Sequence, residues 1–598
     1  MSNPVEEELI HDGAAQPSDG PIDYSQFEEG RHVNYWALDR TLQDEIRRIY
    51  SDGEFEWAES RLSAFGQAVG VEMADNADTV DAHGPELHTY DKHGELLNDV
   101  EYHPAQFENE RLMFEHGTIA DAFEAPPGRD EPMPHSHSIA MEHLLSYADT
   151  GLGCPTGMTA AAAVVFDRHD SDPPFEQFYE GSIARDYEDG MLVGMFLTEK
   201  QGGSDVGKTE TTARRADDGT WLLSGEKWFC SNLDADYVFT LARLPDGEEG
   251  TAGLGMFLVP KYKPDGERND YVFRRLKDKI GTISVPTGEV EFDDTFAYLY
   301  GEADAGFRYM TTMLNRSRIA VSAWSLGITA RALLEAKIHA ANREAFGGTL
   351  DEHALMRADL VDMSVDYEAR AALLYDAADA FEGWYRDGDD HDRRLGRLLL
   401  PLSKYRIARG GVDTASYAME ILGGNGAISD FVTERLYRDA PIHPIWEGTT
   451  NMMAFDVLRS IEKVDAHEAG FAVVDGRLDG VDHPALSELR EVVAAERDGL
   501  AAALEELLAA DRDRQELHAK RFADYLFEVY VAALLLAEAQ THLSERDDGR
   551  KTLVARRFVD RHLREHPNRG IADDTLPTEA FDAIVRYDTV APDELEAF

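Results

Sequence analysis

The feature that most constrains the fold is a hydrophobic period that changes twice along 598 residues. Over residues 1–190, segments such as LDRTLQDEIRRIYSDGEFEWAESRLSAFGQAV read as helices, joined by polar loops like APPGRDEPMP and HDSDPP. Over 191–300 the pattern shortens: TWLLSG, YVFTLARL, LGMFLVP and EVEF alternate or run briefly apolar between Gly, Asp and Pro, as strands do. Over 301–463 the helical period returns, with Leu326, Ala330, Leu333, Leu334, Ile338 and Ala341 on one stripe. Residues 464–598, rich in Ala, Leu, Glu and Arg, read as an additional helical unit. A chain this long exceeds one core. The expectation is an α+β protein with a central β domain, helical domains on both sides and a further helical domain at the end.

Charge narrows the setting. Asp and Glu number 115 against 58 Lys and Arg, a net charge of -57, and only 13 of the 58 are Lys. The acids are spread through every region, which argues against an acidic tail. Self-repulsion of this size is tolerable where the Debye length is ~3 Å, in molar salt. We therefore expect a salt-adapted cytosol, as in haloarchaea. The same charge and the lack of a basic stripe argue against DNA as a partner. Two cysteines, Cys154 and Cys230, fit a reducing cytoplasm rather than a disulfide scaffold. The start MSNPVEEELIHDG carries no basic and apolar leader pattern, and no uninterrupted apolar stretch approaches a membrane span.

Five short segments carry chemistry. MFLTEKQGGSDV (195–206) offers hydroxyls at Thr198 and Ser204 and a Gly202-Gly203 pair that lets backbone N–H groups approach a ligand. In SGEKWFCSN (224–232), Phe229 and Ser231 share a strand face while Cys230 points away into core. NREAFGGTL (342–350) places Arg343, a phosphate partner, and Phe346, a stacking ring, after the helix stripe; the alternative is a plain helix end with a glycine terminator. EILGGNGA (420–427) is a glycine cluster after a helix. PIHPIWEGTTN (441–451) sets Glu447 between Trp446 and Gly448, where an acid needs a reason, because burying a lone carboxylate is costly. DGDDHDRR (387–394) lacks the ligand spacing of a calcium loop. His135 and His137 have no Cys or third ligand nearby to make a metal site, so none is expected.

Together the five segments, over residues 190–460, resemble the acyl-CoA dehydrogenase flavoprotein family. TEKQGGSD is similar to its TEPxxGSD, GEKWFCSN to GxKxWITN, NREAFG with LVDM to RxxFGxxL…LADM, and ILGGNG with RDAPIHPIWEGTTN to GGxG…RDaxxxxIYEGTxxI. LLNDVEYHPA, CPTGMTAAAA, RRLKDKIG and Trp446 for the commoner Tyr resemble the AidB-like, alkylation-response branch, as does the extra C-terminal unit. Lys200 for Pro and Glu420 for Gln also fit it.

The resemblance implies an N-terminal helical domain, a middle β-barrel, a C-terminal four-helix bundle and an FAD held between the last two. By similarity Met195, Leu197, Thr198, Gly203 and Ser204 meet the flavin and its phosphates, and Phe229, Cys230 and Ser231 lie at the isoalloxazine ring, with Ser231 near N5. Arg343, Phe346, Gly423, Gly424, Asn425 and Gly426 reach the FAD of a neighbouring subunit in a dimer or tetramer, and Trp446, Thr449 and Asn451 line the flavin from its other side. Glu447 matches the catalytic base and Arg318 an arginine near it; His443 is expected to be structural. The implied reaction is α,β-dehydrogenation of an acyl-CoA, with electron-transfer flavoprotein as acceptor. An acyl-CoA oxidase and an AidB-like flavoprotein protecting DNA are the alternatives. A nitroalkane oxidase is disfavoured, because that relative uses Asp as base.

Overall fold

The computed structural model describes residues 20–169, 171–565, 571 and 575–598. The N-terminal stretch MSNPVEEELIHDG and Asp170 of HDSDPP lie outside them. The described chain forms two compact units, one of Glu72–Trp324 and one combining the residues up to Val71 with Ser325–Phe598.

The first unit is organised by strands. A small hairpin joins β1 (Glu86–Tyr90) to β2 (Leu96–Glu101). Seven more follow: β3 (Val193–Phe196), β4 (Thr212–Arg215), β5 (Trp221–Ser231), β6 (Tyr237–Arg243), β7 (Leu254–Pro260), β8 (Tyr271–Leu276) and β9 (Thr287–Tyr300). Pairing runs β6-β4-β5-β9-β7 and closes through β6–β7, so five strands form a barrel. β3 extends it by parallel pairing with β6, and β8 by antiparallel pairing with β9. Alternation places Leu223, Cys230, Phe257, Phe273, Val290 and Phe292 inside, all buried. Closure removes the free edges that such apolar strands would otherwise expose. The helices His135–Leu145 and Thr150–Arg168 of the same unit are buried almost throughout.

The second unit is helical. Long helices Ala354–Glu382, Asp390–Ile421 and Thr450–Val464 pack together, joined by the last part of Gly306–Asn342. On that helix Leu326, Leu333, Leu334 and Ile338 are buried, as their spacing predicts. The segment Ala303–Asn342 is long and apolar enough to cross a membrane, yet its apolar window is buried inside the molecule.

The extra helices Ser487–Ala509, Arg512–Thr541 and Arg550–His562 are fixed to this bundle by charge as well as by apolar packing. Glu368 of the bundle accepts from Arg550 and, at 2.9 Å, from Lys551, which also meets Glu538 at 2.7 Å. Burial raises the Glu368 pKa, but the two cations win and hold it down to about 2.

Candidate active site

The first two motifs are stapled together in the first unit. β3 ends at Phe196, and the chain turns through Leu197–Gly203 before re-entering the barrel. The Trp228 N–H donates to the Thr198 carbonyl at 2.8 Å. Beneath this contact, Lys227 Nζ donates to Glu199 at 2.7 Å and to the Leu241 carbonyl at 3.1 Å. Glu199 also accepts from the Thr211 hydroxyl at 2.6 Å and the Glu210 N–H at 2.7 Å. Burial disfavours its charge, yet Lys227 and these donors hold its pKa down to about 2. Burial likewise lowers Lys227, with Glu199 opposing it. The pair fixes TEKQGGSD against GEKWFCSN. Gly203 is needed there, because a Cβ would stand 2.5 Å from Thr198 Oγ1.

The strand β5 is not regular where the motif needs it. Lys227 pairs with Val290 and Cys230 with Gly288, so three steps on β5 match two on β9. This bulge lets both Lys227 and Cys230 point inward although they are three apart. Phe229 is left 51% exposed, and Ser231 lies on its face, opposite Thr287. Cys230 is fully buried and burial pushes its thiol up, so at that position only main chain is available to a ligand. Lys277 Nζ lies 3.3 Å from the Trp228 ring centroid and 4.9 Å from that of Phe229, with Glu289 at 2.5 Å. Met195 is buried, Leu197 and Thr198 are half-buried, and Ser204 is exposed. Arg318 is half-buried in the same unit, with Asn315 Oδ1 at 3.5 Å.

The second unit carries the acid. Glu447 sits in a turn before the helix Thr450–Val464, with φ +55, and Gly448 follows at φ +102. A left-handed glutamate is uncommon and costs conformational energy, which the surrounding structure must offset. The buried Lys404 donates to the Gly448 carbonyl, and the buried His443 exchanges a hydrogen bond with Ser325 Oγ at 2.8 Å. Burial, then Lys404, push the His443 pKa down to about 3, so the ring is neutral. It stacks on Trp446 at 5.5 Å, a structural role as its sequence position suggests. Thr449 and Asn451 are exposed at the start of the helix. Gly423, Gly424 and Asn425 are exposed at the end of Asp390–Ile421, while Gly426 is buried.

The segment holding Arg343 and Phe346 is not a glycine-terminated helix end. The helix stops at Asn342, and Ala345 pairs with Gly348 across a two-residue turn in which Phe346 (φ +54) and Gly347 (φ +97) are both left-handed. Phe346 is 98% exposed and Arg343 is exposed.

Sequence reasoning did not single out Glu199, Lys227, Lys277 or Lys404. One signal was available: lysines are scarce here, and Lys404 sits in the apolar run LLLPLSKYRIA. His135 and His137 are buried, with His137 Nε2 3.5 Å from Asp121. Among the described residues no group of three or more His, Cys, Asp or Glu is placed to hold a metal.

Residues 25–189 match the AidB N-terminal domain of adaptive response proteins, 194–295 the acyl-CoA dehydrogenase middle domain and 304–462 its C-terminal domain. The putative acyl-CoA dehydrogenase AidB of Escherichia coli is 34% identical over 426 residues, 68% of this chain and 75% of that protein. The chain belongs to the acyl-CoA dehydrogenase family. It is therefore a flavin-dependent oxidoreductase of the AidB-like branch. The solved structure of Caenorhabditis elegans ACDH-11 in complex with C11-CoA superposes with TM-score 0.83 at 27% identity, covering 95% of this chain and 98% of that one. A Bacillus anthracis acyl-CoA dehydrogenase complexed with FAD shares the fold at TM-score 0.67 and 18% identity, covering 92% of this chain and 94% of that one.

Proposed function

We propose that the protein oxidises an acyl-CoA to its α,β-enoyl-CoA, with Glu447 as the base for the α-proton. Two observations support FAD on the barrel side: the exposed Phe229 beside the hydroxyl of Ser231, and the Gly202-Gly203 turn locked onto β5. We assign Thr198, Gly203, Ser204, Phe229 and Ser231 to its binding. When bound, FAD supplies the hydride acceptor for the β-carbon.

The remaining chemistry belongs to side chains. Glu447 takes the α-proton, which is acidified when donors bind the thioester oxygen. Its own main-chain N–H is our candidate donor. Lys404 holds the Gly448 carbonyl and so fixes the turn that presents the acid, and neutral His443 supports Trp446. Arg318 is assigned a supporting charge. The exposed, left-handed Phe346 has no evident reason in a single chain; with Arg343 and Gly423–Gly426 we assign it to the FAD of a neighbouring subunit in a homo-oligomer. Acyl-CoA as substrate draws support from the C11-CoA in the ACDH-11 structure, and an electron-transfer flavoprotein is the acceptor we favour. The charge of -57 supports a salt-rich cytosol as the setting of the enzyme.

The observation that carries the reading is a glutamate held at φ +55 within the family's motif. Anaerobic bleaching of the flavin by saturated acyl-CoAs from four to sixteen carbons, in molar KCl, tests it. Wild type should bleach with at least one, and Glu447→Gln should not. Bleaching by Glu447→Gln at the wild-type rate removes the base assignment. Full activity and stability in dilute buffer removes the salt adaptation.

A further inference from the structure

The motif RRLKDKIG marks the branch, but nothing above uses its second lysine. Lys279 Nζ donates to the Thr282 carbonyl at 2.7 Å, the Val285 carbonyl at 2.8 Å, Thr282 Oγ1 at 3.2 Å and Thr287 Oγ1 at 3.1 Å. It thus closes the loop between β8 and β9 on itself. Thr282 in that loop is buried with φ +53, a costly conformation for a β-branched residue. Its hydroxyl proton goes to the Gly281 carbonyl at 2.7 Å, and its oxygen faces the lysine as an acceptor.

Thr287 is the start of β9 and faces Ser231 across the ladder, with the two hydroxyl oxygens 3.1 Å apart. Distance alone leaves open which one donates. The ammonium biases the choice. It has donors only, so Thr287 Oγ1 is the acceptor in their contact. The positive charge turns the threonine O–H away from itself, toward Ser231 Oγ. Ser231 then accepts from Thr287, and its own proton points away from the strand pair. A chain Lys279, Thr287, Ser231 is left with every O–H dipole aligned, each polarising the next.

We propose that Lys279 is a positioning residue which, through Thr287, fixes Ser231 as an outward hydrogen-bond donor to the flavin ring. The proposal rests on the placement of FAD at Phe229 and Ser231 proposed above. A donor to the ring favours the electron-rich, reduced flavin, so the chain acts on the flavin's midpoint potential and not only on the fold.

The test uses full-length protein in molar KCl. Thr287→Val removes the middle hydroxyl while leaving Lys279 its other three acceptors. Lys279→Met removes the cation, and Thr287→Ser restores the relay. FAD affinity, the visible flavin spectrum and the midpoint potential are measured for each. We expect the potential to fall and the flavin bands to shift in Thr287→Val and Lys279→Met, and both to return to wild-type values in Thr287→Ser. A Thr287→Val that binds FAD with the wild-type potential and spectrum overturns the relay. If Lys279→Met does not fold, Thr287→Val with its serine control still decides. If wild type binds FAD and Ser231→Ala leaves spectrum and potential unchanged, the placement at Ser231 fails, and the relay with it.

Discussion

The barrel and the helical unit present their candidate functional residues by opposite means. Phe229 and Ser231 stand on a strand whose register is fixed by β9 and whose bulge is backed by the buried Lys227–Glu199 pair. Their positions are the low-energy outcome of a closed sheet. Glu447 instead stands in a left-handed turn that needs Lys404 on the Gly448 carbonyl and a stacked, hydrogen-bonded His443 to hold it. A planar ring needs a stiff wall, which strands supply. A base that must aim one carboxylate needs a single conformation, and a strained turn over-determined by its neighbours supplies that.

Perturbing each side separately tests this contrast. The largest effect is expected at the turn. Glu447→Gln should lower the rate of flavin reduction by about 10²–10⁴-fold with FAD content unchanged, measured by anaerobic stopped flow. Lys227→Met comes next. It leaves Glu199 buried without its cation, so stability should drop by about 3–5 kcal/mol in denaturant titration, and Lys227→Met/Glu199→Gln should recover part of it. If the single variant is neutral, the pair does not hold the platform. Gly448→Ala should cost about 1–3 kcal/mol, because φ +102 disfavours a side chain and its Cβ would stand 2.5 Å from Met453 Cε.

The most discriminating effect, spread over several pH units, comes from acid. The His443 pKa is depressed in the folded state from 6.5 to about 3, so the unfolded chain binds its proton first. Its contribution is present above pH 6.5 and is lost below it, at about 1.4 kcal/mol per pH unit until the ring protonates. Glu199 is depressed from 4.5 to about 2, so its contribution is lost only as pH falls below 4.5. Hydrogen exchange between pH 7 and 4 should therefore show protection failing around 441–449 before it fails around 196–231. Simultaneous loss would mean the two regions do not differ as described.

Much of this was legible in the sequence. The switch from period 3.6 to period 2 and back located the barrel, because alternation is a local property of strands. Phe229 and Ser231 share a face as predicted, although the regular strand that predicted it is interrupted by a bulge between Lys227 and Cys230. The bulge shows only against the partner strand, since a sequence does not state which residues of β9 lie opposite. The helix-end alternative for NREAFGG rests on local signs, a helix followed by glycines; the left-handed pair at Phe346-Gly347 makes a hairpin instead.

What the sequence determined by itself is the family and the main helix, β, helix succession, although the β1–β2 hairpin lies inside the 1–190 stretch that reads as helical. Each is written in neighbours within about ten residues. What only the tertiary structure decided is how those residues are held: Lys227 on Glu199, Lys404 on Gly448, Lys551 on Glu368, and Lys279 on Thr287 behind Ser231. In a chain with 13 lysines among 115 acids, composition gives each cation many possible partners. Burial selects one, because a desolvated ammonium is stable only where particular oxygens surround it.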